Sequence, residues 1–162
     1  MTRLIRTHLL RKYSSQAEDL MIYTKATKAA LKLSFEAHKN QLDKSGMPYV
    51  FHPFHLAEQM EDEETTIVAL LHDVIEDTDY TIEDIENMGF SRAVCDALSL
   101  MTHDSYEPYM DYVARLKENP IARTVKIADL RHNSDLSRLD YVDGRAILRC
   151  EKYKKAIELL LS

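Results

Sequence analysis

Apolar residues recur at three- and four-residue spacing along almost the whole chain, and no stretch alternates with the two-residue rhythm of a half-buried strand. Residues from about Gln16 to Lys39 read as one long helix, which ends before Asp43-Lys44-Ser45-Gly46-Met47-Pro48, the clearest break in the chain. Pro53 suits a first helical position, so a short helix is expected from there to about Met60, with His52 at its N-cap or just outside. A helix from about Glu63 to Glu76 should follow. Thr81 can cap a short segment from Ile82 to Met88 that Gly89 ends. Further helices are expected from about Ser91 to Met101 and from Tyr106 to Lys117. Asn119-Pro120 supplies a cap and a first-turn proline for a helix through about Leu136, and a last helix should span Gly144 to Leu161. The pattern predicts an all-α protein. Its 162 residues, without repeats or interdomain linkers, suit one globular domain over 1–162.

Composition agrees with that pattern. Glycine and proline number only 3 and 4, and helix-forming Leu, Ala, Glu and Lys are plentiful. Cys95 and Cys150 lie far apart with no metal-knuckle spacing, so both are expected to be reduced core thiols. A net charge of -6 argues against a nucleic-acid backbone as partner, although a small anionic ligand can still be held by a local site. The start, MTRLIRTHLLRKY, is broken by Arg3, Arg6 and Arg11 before a signal-length apolar core forms, so residues 1–15 read as a basic arm or surface helix. No run approaches the roughly 20 apolar residues that span a bilayer. The expectation is a cytoplasmic protein with no membrane partner; nothing in the sequence sets its oligomeric state.

One stretch departs from ordinary surface patterning. In ALLHDVIEDT, Ile67, Leu70, Leu71, Val74 and Ile75 share one side of a helical wheel, while His72, Asp73 and Glu76 fall on the other with Asp77 at its margin. A solvated acidic face is the bland explanation. Against it, no Lys or Arg occurs between Thr65 and Thr81 to supply the usual i,i+4 compensation, and Thr65 and Ala69 make the same side small, as a covered surface would be. Farther on, PIARTVKIADLRHN puts Asp129 and His132 on the apolar side with Ile121, Val125, Ala128 and Leu136. A buried carboxylate must meet a basic group, take hydrogen bonds or ligate a metal. For His132 alone, a hydrogen-bonded core histidine is the simpler reading. Histidine and aspartate together suit Mn, Fe, Co or Zn.

Three stretches, AHKNQLDKSGMPYVFHP, IVALLHDVIEDT and VKIADLRHN, fall in order over about residues 37 to 133. They resemble the HD-domain metal-dependent phosphohydrolases, and within them the hydrolase domain of RelA/SpoT-type proteins and the small alarmone hydrolases that remove the 3′-pyrophosphate of (p)ppGpp. The resemblance implies a helical HD bundle and a divalent metal, manganese by analogy, held by His52, His72, Asp73 and Asp129. It implies a catalytic acidic pair in Glu76 and Asp77, and a nucleotide substrate met by Lys44, Ser45, Asn133, Arg149 and Tyr153. His38 matches the family's Ala-His pair in a structural or a catalytic capacity. Two positions depart from the family pattern. Asp43 stands where a base-packing Arg is usual, and Ala-Asp-Leu-Arg-His-Asn shifts the Arg of the usual motif by one position. Asp43 keeps another nucleotide open as substrate, such as a nucleoside monophosphate, another 3′-phosphorylated nucleotide or NADPH; a non-enzymatic nucleotide-binding module is a further alternative. (p)ppGpp synthesis is not expected, because the resemblance covers only the hydrolase side.

Overall fold

A computed structural model describes residues 21–162, and the basic segment expected as an arm lies outside them. In chain order the helices are α1 (Lys25–His38), α2 (Phe51–Ala57), α3 (Glu63–Leu71), α4 (Val74–Asp77), α5 (Ile82–Asn87), α6 (Arg92–Met101), α7 (Tyr109–Leu116), α8 (Pro120–Asn133) and α9 (Gly144–Leu161), with a 3₁₀ turn at Leu136–Arg138. The class is all-α, and an isolated bridge between Leu42 and Pro48 is the one extended pairing among the described residues.

Polar caps set most of the boundaries. Ser91, Thr81, Asn119 and Asp143 each accept a hydrogen bond from a backbone N–H of the first turn that has no helical partner. The expected long first helix begins only at Lys25, because Thr24 and Thr27 close a reciprocal capping box there; 16–20 lie outside the described residues, and 21–24 are not helical. His52 sits inside α2 rather than at its cap. Pro53 is the third residue of that helix, where its missing N–H leaves no bond unmade. Tyr109 rather than Tyr106 opens α7, after Pro108, and α8 ends at Asn133, with Leu136 in the 3₁₀ turn instead.

The main departure concerns the helix drawn from Glu63 to Glu76. It stops at Leu71, and Asp73 takes φ -101°, ψ -2°, the sparsely used bridge region, before α4 restarts. Every residue of α3 from Thr65 to Leu71 is buried. A helix covered on all sides forms the centre of a bundle, and here α1, α2, α6 and α8 pack around it. The face carrying Thr65 and Ala69 is therefore covered, as its small residues suggest. Cys95 is buried and Cys150 half-buried, both as free thiols.

Candidate metal and nucleotide site

His72 is the C-cap of α3, where the last carbonyls lack helical partners. Its Nδ1–H donates to the Ala69 carbonyl at 2.9 Å, which leaves Nε2 as the nitrogen directed away from the helix. From α2, His52 aims its own Nε2 at the same point. Both Nε2 atoms are fully buried and neither has a hydrogen-bond partner. Buried nitrogens are normally satisfied, so two orphans facing each other call for a ligand.

Two aspartates close the arrangement. Asp73 Oδ2 lies 2.9 Å from His72 Nε2 and 3.9 Å from His52 Nε2, while Asp129 Oδ1 lies 3.3 Å from His52 Nε2 and 3.9 Å from His72 Nε2. One donor atom each from His52, His72 and Asp73 falls within 4.8 Å of the other two. Imidazole and carboxylate donors at this spacing suit a divalent metal ion. The backbone break at Asp73 lets consecutive residues of one segment turn toward a common centre.

Each donor is braced from outside, as metal ligands generally are. The Tyr49 hydroxyl donates to Asp73 Oδ2. Lys126 donates to Asp129 Oδ2 at 2.8 Å, and Asn133 donates to Asp129 Oδ1. Asp129 thus pairs with Lys126 through one oxygen and turns the other toward the two imidazoles. His52 Nδ1 lies 2.6 Å from His132 Nδ1, the ring planes 19° apart and the centroids 4.8 Å apart, so the rings meet edge to edge.

Electrostatics follow from this crowding. Burial lowers the His72 pKa, but the Asp73 and Asp129 carboxylates more than offset it and push it up to about 9. Burial works against ionised Asp73 and Asp129 in turn; His72 outweighs it at the first, and Lys126 with the two imidazoles at the second, holding both well below the usual carboxylate range. Lys126 is half-buried, and Asp129 keeps it charged. Burial, followed by His52 and Arg138, lowers His132 to about 4, so this imidazole is neutral.

The centre opens into a cavity of about 450 Å³. Lys44, Ser45, Glu76, Asp77, Asn133, Arg149 and Tyr153, all singled out from the sequence, line it together with His52. Glu76 and Asp77 face solvent at the wall, yet partial desolvation, with the nearby Asp73 charge adding to it, raises both carboxyl pKa values. His38 does not line this cavity. Its Nδ1–H donates to Gln41 at 2.7 Å, and Gln41 donates to the Asp77 carbonyl at 3.0 Å, so the pair anchors the end of α4.

Asp43 has two functions in the wall. Its Oδ1 accepts from the backbone N–H of Ser45 and Met47, closing a turn in which Gly46 takes φ +76°. Its Oδ2 pairs with Arg138 at 3.1 Å.

No protein-family model matches the chain. Over 159 residues, 91% of its length, it is 33% identical to the guanosine-3′,5′-bis(diphosphate) 3′-pyrophosphohydrolase of Aquifex aeolicus. The bifunctional (p)ppGpp synthase/hydrolase SpoT of Escherichia coli matches at 32% over 124 residues, 67% of this chain. The chain spans only about a fifth of the length of these long relatives, 20% and 18% respectively. The pyrophosphohydrolase MESH1 of Danio rerio is of comparable size: 33% identity extends over 73% of this chain and 72% of that protein. This chain belongs to the guanosine-3′,5′-bis(diphosphate) 3′-pyrophosphohydrolase family. The fold agrees, since the structure of a metazoan ortholog of SpoT that hydrolyzes ppGpp superposes with a TM-score of 0.72 and 25% identity, covering 86% of this chain and 87% of that one.

Several residues around this centre escape a reading by motif. Lys126 precedes Asp129 by three positions, a spacing at which helical side chains meet, and that signal was available. Tyr49 lies inside the PYVFHP stretch but carries no charge to mark it. Arg138 and His132 act across the 3₁₀ turn, which no local pattern announces. Among the described residues no helix is long and apolar enough to cross a membrane.

Proposed function

We propose that the chain is a metal-dependent hydrolase that removes the 3′-pyrophosphate of (p)ppGpp, with manganese as its ion. The observation that carries this reading is the pair of buried, partnerless Nε2 atoms of His52 and His72 between two aspartates, at the mouth of a cavity walled by Glu76 and Asp77. Family membership supports the same chemistry.

In this reading His52, His72, Asp73 and Asp129 hold the ion, which when bound supplies Lewis acidity and lowers the pKa of water. Glu76 or Asp77 orients the attacking water and accepts its proton; their raised pKa values bring them closer to the range useful for a general base. Attack of water at the phosphorus next to the 3′ oxygen breaks the bond between them, so that pyrophosphate is released with the water oxygen and the 3′ oxygen takes up a proton as the hydroxyl of guanosine 5′-diphosphate or 5′-triphosphate. Lys44 and Arg149, both in the cavity wall, neutralise phosphate oxygens, and Arg149 can do so with paired donors. Asn133 and Tyr153 bound the space between the centre and the nucleotide. Tyr49 and Lys126 hold their carboxylates in place.

The test is turnover of ppGpp by the purified chain with manganese, product identified by chromatography, beside Asp73→Ala and Glu76→Gln. Loss of metal and turnover together in the first, and of turnover alone in the second, is the expected result; full activity in either variant refutes the scheme. A second reading keeps the chemistry and changes the substrate, because Asp43 is engaged with Arg138 and the wall offers the pair, not a free base-stacking Arg, at this place. A panel of nucleoside monophosphates, 3′-phosphorylated nucleotides and NADPH in the same assay separates the two, and binding of all without hydrolysis would identify a non-enzymatic module.

A further inference from the structure

The two imidazoles of the centre are not held alike, and His52 depends on a chain of side chains that ends at the nucleotide cavity. Arg138 Nη1 lies 3.1 Å from His132 Nδ1 and 3.2 Å from the His132 carbonyl, and Arg138 Nη2 pairs with Asp43 Oδ2 at 3.1 Å. A guanidinium has donors only, so His132 Nδ1 must be an acceptor. His52 Nδ1, 2.6 Å from that same atom, must therefore carry the hydrogen. With its proton at Nδ1, the neutral ring presents a lone pair at Nε2, the atom that faces Asp129 and His72.

We infer that His132 is a positioning residue that selects the metal-binding tautomer of His52, and that Arg138 and Asp43 extend this control to the loop lining the nucleotide cavity. Three separate features converge on it. The two rings meet edge to edge with their planes 19° apart, so the bond between the Nδ1 atoms lies close to both ring planes and fixes their relative orientation. The second Arg138 bond, to the backbone of His132, prevents the guanidinium from swinging away without breaking two contacts. Ser45 Oγ donates to the Arg138 carbonyl at 2.6 Å, so the loop grips the 3₁₀ turn from both main chain and side chain. Asp43, where the family pattern has Arg, then has a definite task in this chain: it orients Arg138 toward His132 while its other oxygen closes the loop.

The inference rests on the metal-centre reading above, but its tests need no nucleotide. In the metal-free protein, long-range ¹H–¹⁵N spectra of the imidazoles should show His52 as the Nδ1–H tautomer, shifting toward a mixture in His132→Leu. An Nε2–H tautomer in the wild type overturns the proposal. In calorimetric titration with Mn²⁺, His132→Leu should bind about 10–100-fold more weakly, the range for removing an outer partner of a ligand. His132→Gln, whose amide oxygen can accept from His52, should recover most of the loss. Equal affinity in wild type and His132→Leu, or a Gln variant as weak as the Leu variant, overturns the assignment. Should His132→Leu fail to fold, Arg138→Gln at the half-exposed wall asks the same question, with a smaller loss expected and no loss counting against it. Failure of ppGpp turnover with the affinity series intact would remove the proposed substrate and leave this inference standing; intact turnover with a flat series would do the reverse.

Discussion

His72 and His52 present the same atom to the same centre, yet the means of holding them differ. For His72 the brace is a carbonyl three residues earlier in its own helix, a group no substitution can delete. For His52 it is a series of side chains from α8, the 3₁₀ turn and the 43–47 loop, every member of which can be substituted. A brace supplied by backbone is fixed once the helix folds. One supplied by side chains can be tuned, and it can transmit a change in the loop to the centre. On the proposed reading, the His52 side is therefore where affinity for a metal would be adjusted without altering the donors.

The largest effect expected is from removing a donor on the locally braced side. Asp73→Ala or His72→Ala should abolish metal retention and lower turnover by about 10³-fold or more, since the polarising ion is lost with its seat; metal analysis beside turnover checks this. Glu76→Gln should lower turnover by about 10²–10⁴-fold, the usual worth of a general base, with metal content unchanged. Its pH dependence has a definite sign. Burial first, and then Asp73, raise the carboxyl pKa of Glu76, and only the ionised form accepts a proton. Activity should therefore fall as pH drops through a value above the ordinary glutamate pKa of about 4.3, and the acid limb of kcat/KM should be displaced upward accordingly. Linkage gives the companion result: a carboxylate with a raised folded pKa reduces stability as pH rises through it, so Glu76→Gln should raise Tm at pH 7.

Lys126→Met sharpens the comparison from the other donor. It strips a buried carboxylate of its cation while keeping the volume, and should destabilise the metal-free fold by about 3–5 kcal/mol in denaturant titration. Added metal should return part of that loss, because the ion supplies charge to the same aspartate. The smallest effect belongs to the outer end of the His52 series. Asp43→Asn keeps the oxygen that closes the loop but turns the other toward Arg138 as an amide, and should weaken manganese binding by less than His132→Leu does. Equal losses from both would show the series to be no weaker at its outer end, and no loss from either would leave His52 held as independently of side chains as His72.

The fold was legible to the extent that its determinants are local. Ser91, Thr81 and Asn119-Pro120 mark helix starts through hydrogen bonds within three residues, and Gly144 to Leu161 is found where expected. The interruption at Asp73 was not legible, because both halves keep helical spacing and the break serves a centre completed by two other segments, α2 and α8. Grouping His52 with His72, Asp73 and Asp129 came from motif resemblance, and their approach in space agrees with it. Periodicity alone justified only the suspicion attached to Asp129, a carboxylate on an apolar face. The bracing groups were hidden for a different reason. Tyr49 and Arg138 are ordinary polar residues until folding sets them beside Asp73 and His132; His132 itself is the hydrogen-bonded histidine its apolar face suggested, but nothing local named His52 as its partner.

Because α3 is enclosed from Thr65 to Leu71 and runs directly into His72, its rotational phase is shared between the packing and the cluster of imidazoles and carboxylates. Deleting a single residue there would turn everything after it by about 100°, so the interior would have to repack and the imidazole would swing out of reach in the same event. Drift by insertion or deletion should therefore collect in the loops and leave this central rod a constant number of residues long.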